Sequence, residues 1–398
     1  MSPSVAVIGA GAAGTASAWC LRRAGLDVTV FSHRAGATSL GAGALDFASP
    51  GARVVEPSSV ALSGDALEFA RALGVWCLTP GSVVTRQGLV RSTLGRDEGL
   101  LDLEQLRGRR IAVADLERDD WDAPGLARAL GASAWAASTR SSFEAVRVPA
   151  LRRGAERRIS AYDFAALHDH PERSGWLAGL LREASPGFDG WLLGSWLGLE
   201  PGVPARVRDL VGLPLGEVTS PLAGPAGARF DAASRRLFVE TGVKQREERV
   251  ARVSRSGSTW SLLAGDENDE RGFFEFSAVV LAVGGVAAGG IMLAADPVSG
   301  RNGFRLAISA PARLALDGEV TDRVSSLYGP DFEATGFGPL ERVGVELTSE
   351  GWVRSDAGAE VGLVAAGDCA SARPRTLLEA VNSGCAAART VTLHFTSH

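Results

Sequence analysis

Apolar positions fall in two rhythms along the chain, and the first thirty residues show both. Val5-Ala-Val-Ile8 is a short unbroken apolar run, the pattern of a strand buried on both faces. Gly9 to Gly14 breaks it as a tight turn, Thr15 to Ala24 has helical periodicity closed by Gly25, and Val28-Thr-Val-Phe31 is a second buried strand. A strand, helix and strand at this spacing predict a right-handed parallel crossover. The buried-strand pattern returns at Ala278 to Val283, which a glycine turn and a short helix should follow. It returns again at Val361 to Ala366, with a helix from Leu377 to His394 beyond it. Leu237 to Glu240, Val250 to Ser254, Trp260 to Ala264 and Phe273 to Phe276 read as strands of an antiparallel meander, with Gly265 to Gly272 as its polar turn.

Between Val75 and Pro214 the pattern weakens into Arg-, Trp- and Pro-rich loops. Helical stretches show there at Asp102 to Leu106, Pro124 to Leu130 and Ser174 to Ala184. The organisation expected is a cofactor domain in three pieces, 1–74, 215–300 and 344–398. A substrate or cap lobe should be inserted over 75–214, with a loop-rich cap over 301–343. The fold class is α/β: a Rossmann-like dinucleotide-binding domain, parallel sheet plus antiparallel meander, with an inserted α+β lobe.

A length of 398 residues suits two lobes better than one core. The formal charge of −5 supplies no field for nucleic acid or anionic lipid, so neither partner is expected. Lys244 is the only lysine among 41 basic residues, a bias we assign to the genome. Cys20, Cys77, Cys369 and Cys385 lie far apart without Cys-x-x-Cys spacing, which predicts no metal site and free thiols in a reducing compartment. No basic segment precedes the apolar N-terminal run, so the expected location is cytoplasmic. Ser277 to Ala295 carries no charge, but Gly284, Gly285, Gly289 and Gly290 favour a strand and turn over a membrane span.

The chemistry begins at Gly9-Ala-Gly11-Ala-Ala-Gly14, which follows a strand and opens a helix. Gly9 permits the turn, Gly11 lets the backbone approach a pyrophosphate, and Gly14 allows close helix packing. The helix end adds free N–H groups and positive potential. An acidic ribose ligand should end the second strand, yet Ser32, His33 and Arg34 stand there. A second element, Gly362-Leu-Val-Ala-Ala-Gly367-Asp368, ends a buried strand with a carboxylate ahead of a helix. Ala282-Val-Gly284-Gly285 ends the third strand in glycines.

With these pieces in order, the chain resembles the two-dinucleotide-binding flavoproteins, the group that includes the succinate dehydrogenase and fumarate reductase flavoproteins. Gly36-Ala-Thr-Ser-Leu-Gly-Ala-Gly-Ala-Leu-Asp46, Arg91-Ser-Thr-Leu-Gly95 and the stretch from Ile111 to Leu130 are similar to segments of the B subunit of anaerobic glycerol-3-phosphate dehydrogenase. Ala365-Ala-Gly-Asp-Cys369 with Leu378-Glu-Ala-Val-Asn-Ser-Gly384 looks more like the flavin-binding end of disulfide-reductase relatives. The resemblance implies FAD as cofactor. It implies contacts at Gly9, Gly11, Ala13 and Gly14, at Ser32, His33 and Arg34, and at Ser39, Leu40, Gly41, Ala42 and Gly43. Further contacts are implied at Val250, Gly284, Gly367, Asp368, whose carboxylate would accept from the ribityl chain, and Leu377. It also implies a second flavoprotein and an iron-sulfur subunit as partners.

No catalytic base stands out. Arg373 and Arg375 follow the Gly-Asp turn closely enough to meet a small anionic substrate, or to bond loop carbonyls, and Glu379 is a further candidate. His168 and His170 are expected in a charged, solvated loop, and Trp191 and Trp196 in a core. Three readings follow: an FAD-dependent subunit that passes electrons to a partner, a stand-alone flavin dehydrogenase or reductase, and a flavin-binding relay or structural subunit.

Overall fold

The computed structural model describes residues 2–47, 62–266, 269–295, 304–324 and 342–397. The chain divides into two compact units, one of Met1–Thr38, Ala52–Ala72 and Arg235–His398, the other of Ser39–Gly51 and Leu73–Ser234.

In the first unit the unbroken apolar runs form the middle of a six-stranded sheet. Its order is Lys244–Arg246, β2 (Asp27–Phe31), β1 (Ser4–Ile8), Ala278–Leu281, Gly358–Ala365 and Trp352–Ser355. The first five strands are parallel and the last is antiparallel. Alternate residues point to opposite faces and both faces are covered, which is why these strands carry no polar alternation. Ala6, Ile8, Phe31, Val279, Leu281 and Leu363 pack on one side with Val253, Trp260, Leu262 and Phe276 of the antiparallel meander. Val5, Val7, Val28, Val280 and Val364 pack on the other with Leu21 of α1 (Ala12–Arg23) and with Ala388 and Val391 of the C-terminal helix Leu377–Thr396. The meander, Val250–Ser256, Thr259–Asp266 and Asp269–Phe276, stands in the crossover from Lys244–Arg246 to Ala278–Leu281.

Two expected elements are different in the structure. Leu237 to Glu240 is not a strand but the last turn of the helix Pro225–Thr241. Phe230, Ala233, Leu237 and Phe238 are buried at helical spacing while Val239 is 76% exposed, so the apolar run there is a helix face ending at Gly242. No helix follows Gly284-Gly285. A turn leads into the strand Met292–Ala295, because four glycines within seven residues disfavour a helix. Met292–Ala295, Phe304–Ala307 and Arg323–Val324 form one small antiparallel sheet. Glu319–Val320, Leu314–Leu316 and Gly344–Val345 form another, so the expected loop-rich cap is strand-built where it is described, and 325–341 lies outside the described residues. No helix among the described residues is long and apolar enough to cross a membrane.

The second unit holds a four-stranded parallel sheet, in the order Leu215–Glu217, Gly190–Leu193, Arg110–Asp115, Ser142–Arg147. It also holds an antiparallel sheet in which Val90–Asp97 pairs with Ala44–Phe47, Trp76–Cys77 and Gly81–Val84. Trp191 and Trp196 are buried in its core as expected. Arg229 is fully buried and holds Asp97 and Glu217 at 2.6 Å each, donating also to Gly198 O at 2.7 Å. Burial pushes the Glu217 carboxyl up, opposed first by Arg229. His168 is not a solvated loop residue. It lies on the helix Ala161–Asp169, wholly buried against Phe164, because the loop that looked charged folds into two consecutive helices. His170 stays exposed at the junction between them.

Candidate functional site

The parallel register brings the ends of three adjacent strands together: Ile8 lies beside Leu281, and Leu281 beside Ala365. The residues just beyond are the glycine loop, Ala282 to Gly285, and Gly367-Asp368. Ala282 N donates to Ile8 O and Ala366 N to Leu281 O, both at 2.9 Å, so the sheet ladder continues into all three turns. Three turns far apart in sequence thus share one sheet edge, the carboxyl end of parallel strands, where α/β sheets bind ligands.

The glycines of the loop have separate reasons. Gly9 has φ +109°, and a side chain there would sit 2.2 Å from Ala282 O; one at Gly14 would sit 1.9 Å from Gly9 O. Both are demanded by the protein's own packing. Gly11 is not, since a Cβ there would meet only Thr38 Oγ1, at 3.5 Å, and its φ is −72°. Among the described residues the space before Gly11 is therefore open, at the N-terminus of a twelve-residue helix whose N-cap residue offers no side-chain bond and whose first turn holds no acidic residue. A helix start without an acidic residue suits the pyrophosphate of a dinucleotide.

Asp368 follows Gly367, whose N–H donates to Ser383 Oγ at 2.7 Å. Its carboxylate is half-buried and finds no hydrogen-bond partner among the described residues. Burial pushes its pKa up, and Arg375 partly offsets this. A half-buried carboxylate at the end of a strand can accept from a ligand, and the hydroxyls of a ribityl chain are donors of the right kind. Asp368 is not the cap of the next helix: Thr376 is, its Oγ1 accepting from Glu379 N at 3.3 Å, with Leu377 as the first helical residue.

The other expected residues are distributed as follows. Ala13 lies in α1 against Gly367, 2.8 Å from where that glycine's side chain would stand. Ser32 N donates to Arg246 O at 2.9 Å and its hydroxyl to Arg34 O at 3.0 Å, so Ser32 closes the end of β2. Arg34 donates to Ala288 O at 2.6 Å, tying β2 to the glycine turn that begins at Gly284, while His33 is exposed. Val250 opens the meander. Ser39, Leu40, Gly41, Ala42 and Gly43 belong to the second unit and are bound into it. Ser39 Oγ donates to Asp231 Oδ1 at 2.5 Å, Ala42 O accepts from Ser220 N at 2.9 Å, and Gly43 O accepts from Asp97 N at 2.7 Å.

The arginines are engaged with the protein. Arg375 donates to Ala370 O at 2.9 Å and Val343 O at 2.7 Å, and Arg373 pairs with Glu379 at 2.7 Å. Thr38 adds to the site: its Oγ1 accepts from Ala12 N at 3.0 Å, and among the described residues its own proton has no acceptor. Nothing in a lone threonine after Gly36-Ala37 signals that role, which depends on Gly36 lying against Gly11; a side chain at Gly36 would reach within 3.2 Å of Gly11 Cα.

This geometry is that of a Rossmann-like domain. Residues 7–64 match the model of the NAD(P)-binding Rossmann-like domain. No curated protein matches the chain. Among solved structures, a flavoprotein/dehydrogenase from Cytophaga hutchinsonii is similar at 9% identity and a TM-score of 0.38, over 100% of this chain and 80% of that one. The 3-ketosteroid Δ1-dehydrogenase from Sterolibacterium denitrificans is similar at 11% identity and 0.38, over 99% and 100% of the two chains. The 3-ketosteroid Δ4-(5α)-dehydrogenase from Rhodococcus jostii RHA1 is similar at 14% and 0.34, over 98% and 96%.

Proposed function

We propose that this chain is an FAD-dependent oxidoreductase whose electrons leave to a protein partner. The observation that carries the reading is the convergence of the glycine loop and Asp368 on one edge of the same parallel sheet. The loop and the start of α1 would hold the pyrophosphate, with Thr38 adding a hydroxyl, and Asp368 would hold the ribityl chain. When bound, the flavin supplies the hydride and electron chemistry; the protein binds, orients and screens it. The start of the C-terminal helix at Leu377 adds positive potential on the side that follows Asp368. Arg375, held by two carbonyls, is placed to neutralise charge near Asp368 and not to move a proton.

The partner reading rests on the sequence. One pyrophosphate-type glycine loop is present and Val75 to Pro214 holds no second one, whereas a reductase that also binds a nicotinamide needs another nucleotide site. A dehydrogenase subunit similar to the glycerol-3-phosphate dehydrogenase B subunit would meet that description.

The test is denaturation of the purified protein and chromatography of what it releases. FAD is the expected product, and Gly11→Val should cut flavin occupancy at least tenfold with the melting temperature little changed, because that position is open in the protein itself. Release of FMN, or failure to take up FAD on reconstitution, overturns the reading.

A further inference from the structure

Cys20 on α1 and Cys385 on the C-terminal helix lie 365 positions apart in sequence, and their sulfurs are 3.4 Å apart. The pair sits where α1 crosses the C-terminal helix. A side chain at Gly384 would stand 2.3 Å from Ala13 O, and Ser17 Oγ donates to Gly384 O at 2.9 Å. Ala13, Ser17 and Cys20 follow one face of α1, so the bond and the thiol pair are successive rungs of one contact. Cys385 is 1% exposed, whereas Cys20 is half-buried and faces solvent in part.

We infer that Cys20 and Cys385 form an oxidative modification site: a peroxide-class oxidant converts them to a disulfide that fastens α1 to the C-terminal helix. The sulfurs, 3.4 Å apart, have to close by roughly 1.4 Å to reach the bonded separation of about 2.0 Å, and the absence of a side chain at Gly384 brings the two backbones close. The Cys20 thiolate attacks one peroxide oxygen and the O–O bond breaks. Cys20 becomes a sulfenic acid and the other oxygen leaves as water. The Cys385 sulfur then attacks the Cys20 sulfur and expels the second oxygen as water. Two thiols give up two electrons and two protons, and one hydrogen peroxide becomes two waters.

The surroundings make this a slow site. The hydrogen bond to Cys385 raises the Cys20 pKa most, followed by burial, while Asp65 adds to the rise and Arg23 opposes it. Asp65 is itself paired with Arg389 of the C-terminal helix at 2.8 Å. Oxidation therefore quickens with alkalinity and needs sustained exposure, as suits a lock and not a catalyst. The disulfide stands on the thiol geometry alone. Its consequence, slower release of cofactor, rests on the flavin reading, because the two helices carry the glycine loop and follow Asp368.

The full-length protein is reduced, freed of reductant and exposed to hydrogen peroxide under mildly alkaline conditions, then denatured, its thiols counted and its peptides mapped. Two of the four thiols should disappear, a Cys20–Cys385 peptide pair should weigh two hydrogens less than its parts, and dithiothreitol should restore both. Melting should rise by on the order of 5 °C on oxidation, through the closed loop between the two helices. Cys20→Ser and Cys385→Ser should each remove the pair and the rise. The native chain is also mapped by differential alkylation, so a poorly folding variant does not decide the matter. Retention of all four thiols, a sulfinic acid on Cys20, or a pair involving Cys77 or Cys369 overturns the proposal. If the pair forms while flavin neither binds nor is held longer, the flavin reading fails and the disulfide stands.

Discussion

In the proposed function, Asp368 sets stability against binding. Burial raises its pKa, so the folded apo-protein is penalised for carrying the charged form; that penalty is present above the folded pKa and relieved as pH falls through it. Asp368→Asn should therefore raise the melting temperature of the apo-protein at neutral pH while weakening FAD at least tenfold. A merely structural aspartate would move both quantities the same way, which paired melting and flavin-fluorescence titrations can read. His168 shows the opposite case, a base held neutral. Burial above all, then Arg173, lowers its pKa to about 4 from an ordinary 6.5, and neither ring nitrogen has a partner of hydrogen-bond geometry among the described residues. The unfolded chain binds the extra proton between those values, so stability is intact above about pH 6.5 and drains away as pH falls toward 4, by at most about 3 kcal/mol. His168→Phe should flatten that slope in denaturant titrations taken across the range. An unchanged slope would assign acid sensitivity to other groups.

At the scale of elements, legibility followed the strength of local signals. β1, the loop, α1 and β2 were plain because buried parallel strands carry unbroken apolar runs and the loop needs glycine for its own packing, at Gly9 and Gly14. The Gly367-Asp368 turn was plain for the same reasons, although its closeness to the first loop came only with the sheet order. Leu237 to Glu240 has the look of a strand because its three apolar residues outweigh the helical spacing of Phe230, Ala233 and Leu237. The parallel sheet of the second unit was missed, because Leu215–Glu217 and Gly190–Leu193 are too short to show a period. Thr38 was invisible for another reason: its role depends on a hydrogen bond to Ala12, 26 positions away. The crossing of α1 with the C-terminal helix invites a test at this scale. Gly384→Val places atoms where Ala13 O stands and should cost about 2 kcal/mol, as overpacking does. It should also weaken flavin more than an equally destabilising change in the second unit, such as Phe164→Leu. Equal flavin loss in the two variants would mean that the crossing does not position the cofactor.

At the scale of the whole molecule, the question is where the electrons go. Five parallel strands carry the glycine loop on one and Gly367-Asp368 on another, and β2 is followed by Ser32, His33 and Arg34, without the carboxylate that an ordinary NAD ribose engages. Arg34 is turned to Ala288 O and Ser32 to Arg34 O, so the end of that strand is built for its own closure. A nicotinamide arriving as second substrate would need a further pyrophosphate loop, and Val75 to Pro214 has none. The photoreduced holoprotein should accordingly reoxidise slowly with NAD or NADP, at a rate that rises linearly with concentration. It should reoxidise at least a hundredfold faster with a one-electron dye or with an iron-sulfur protein that co-purifies with it. Stopped-flow absorbance at the flavin band separates the cases: saturable, rapid reoxidation by either nicotinamide would remove the partner-subunit reading and leave a stand-alone reductase in its place.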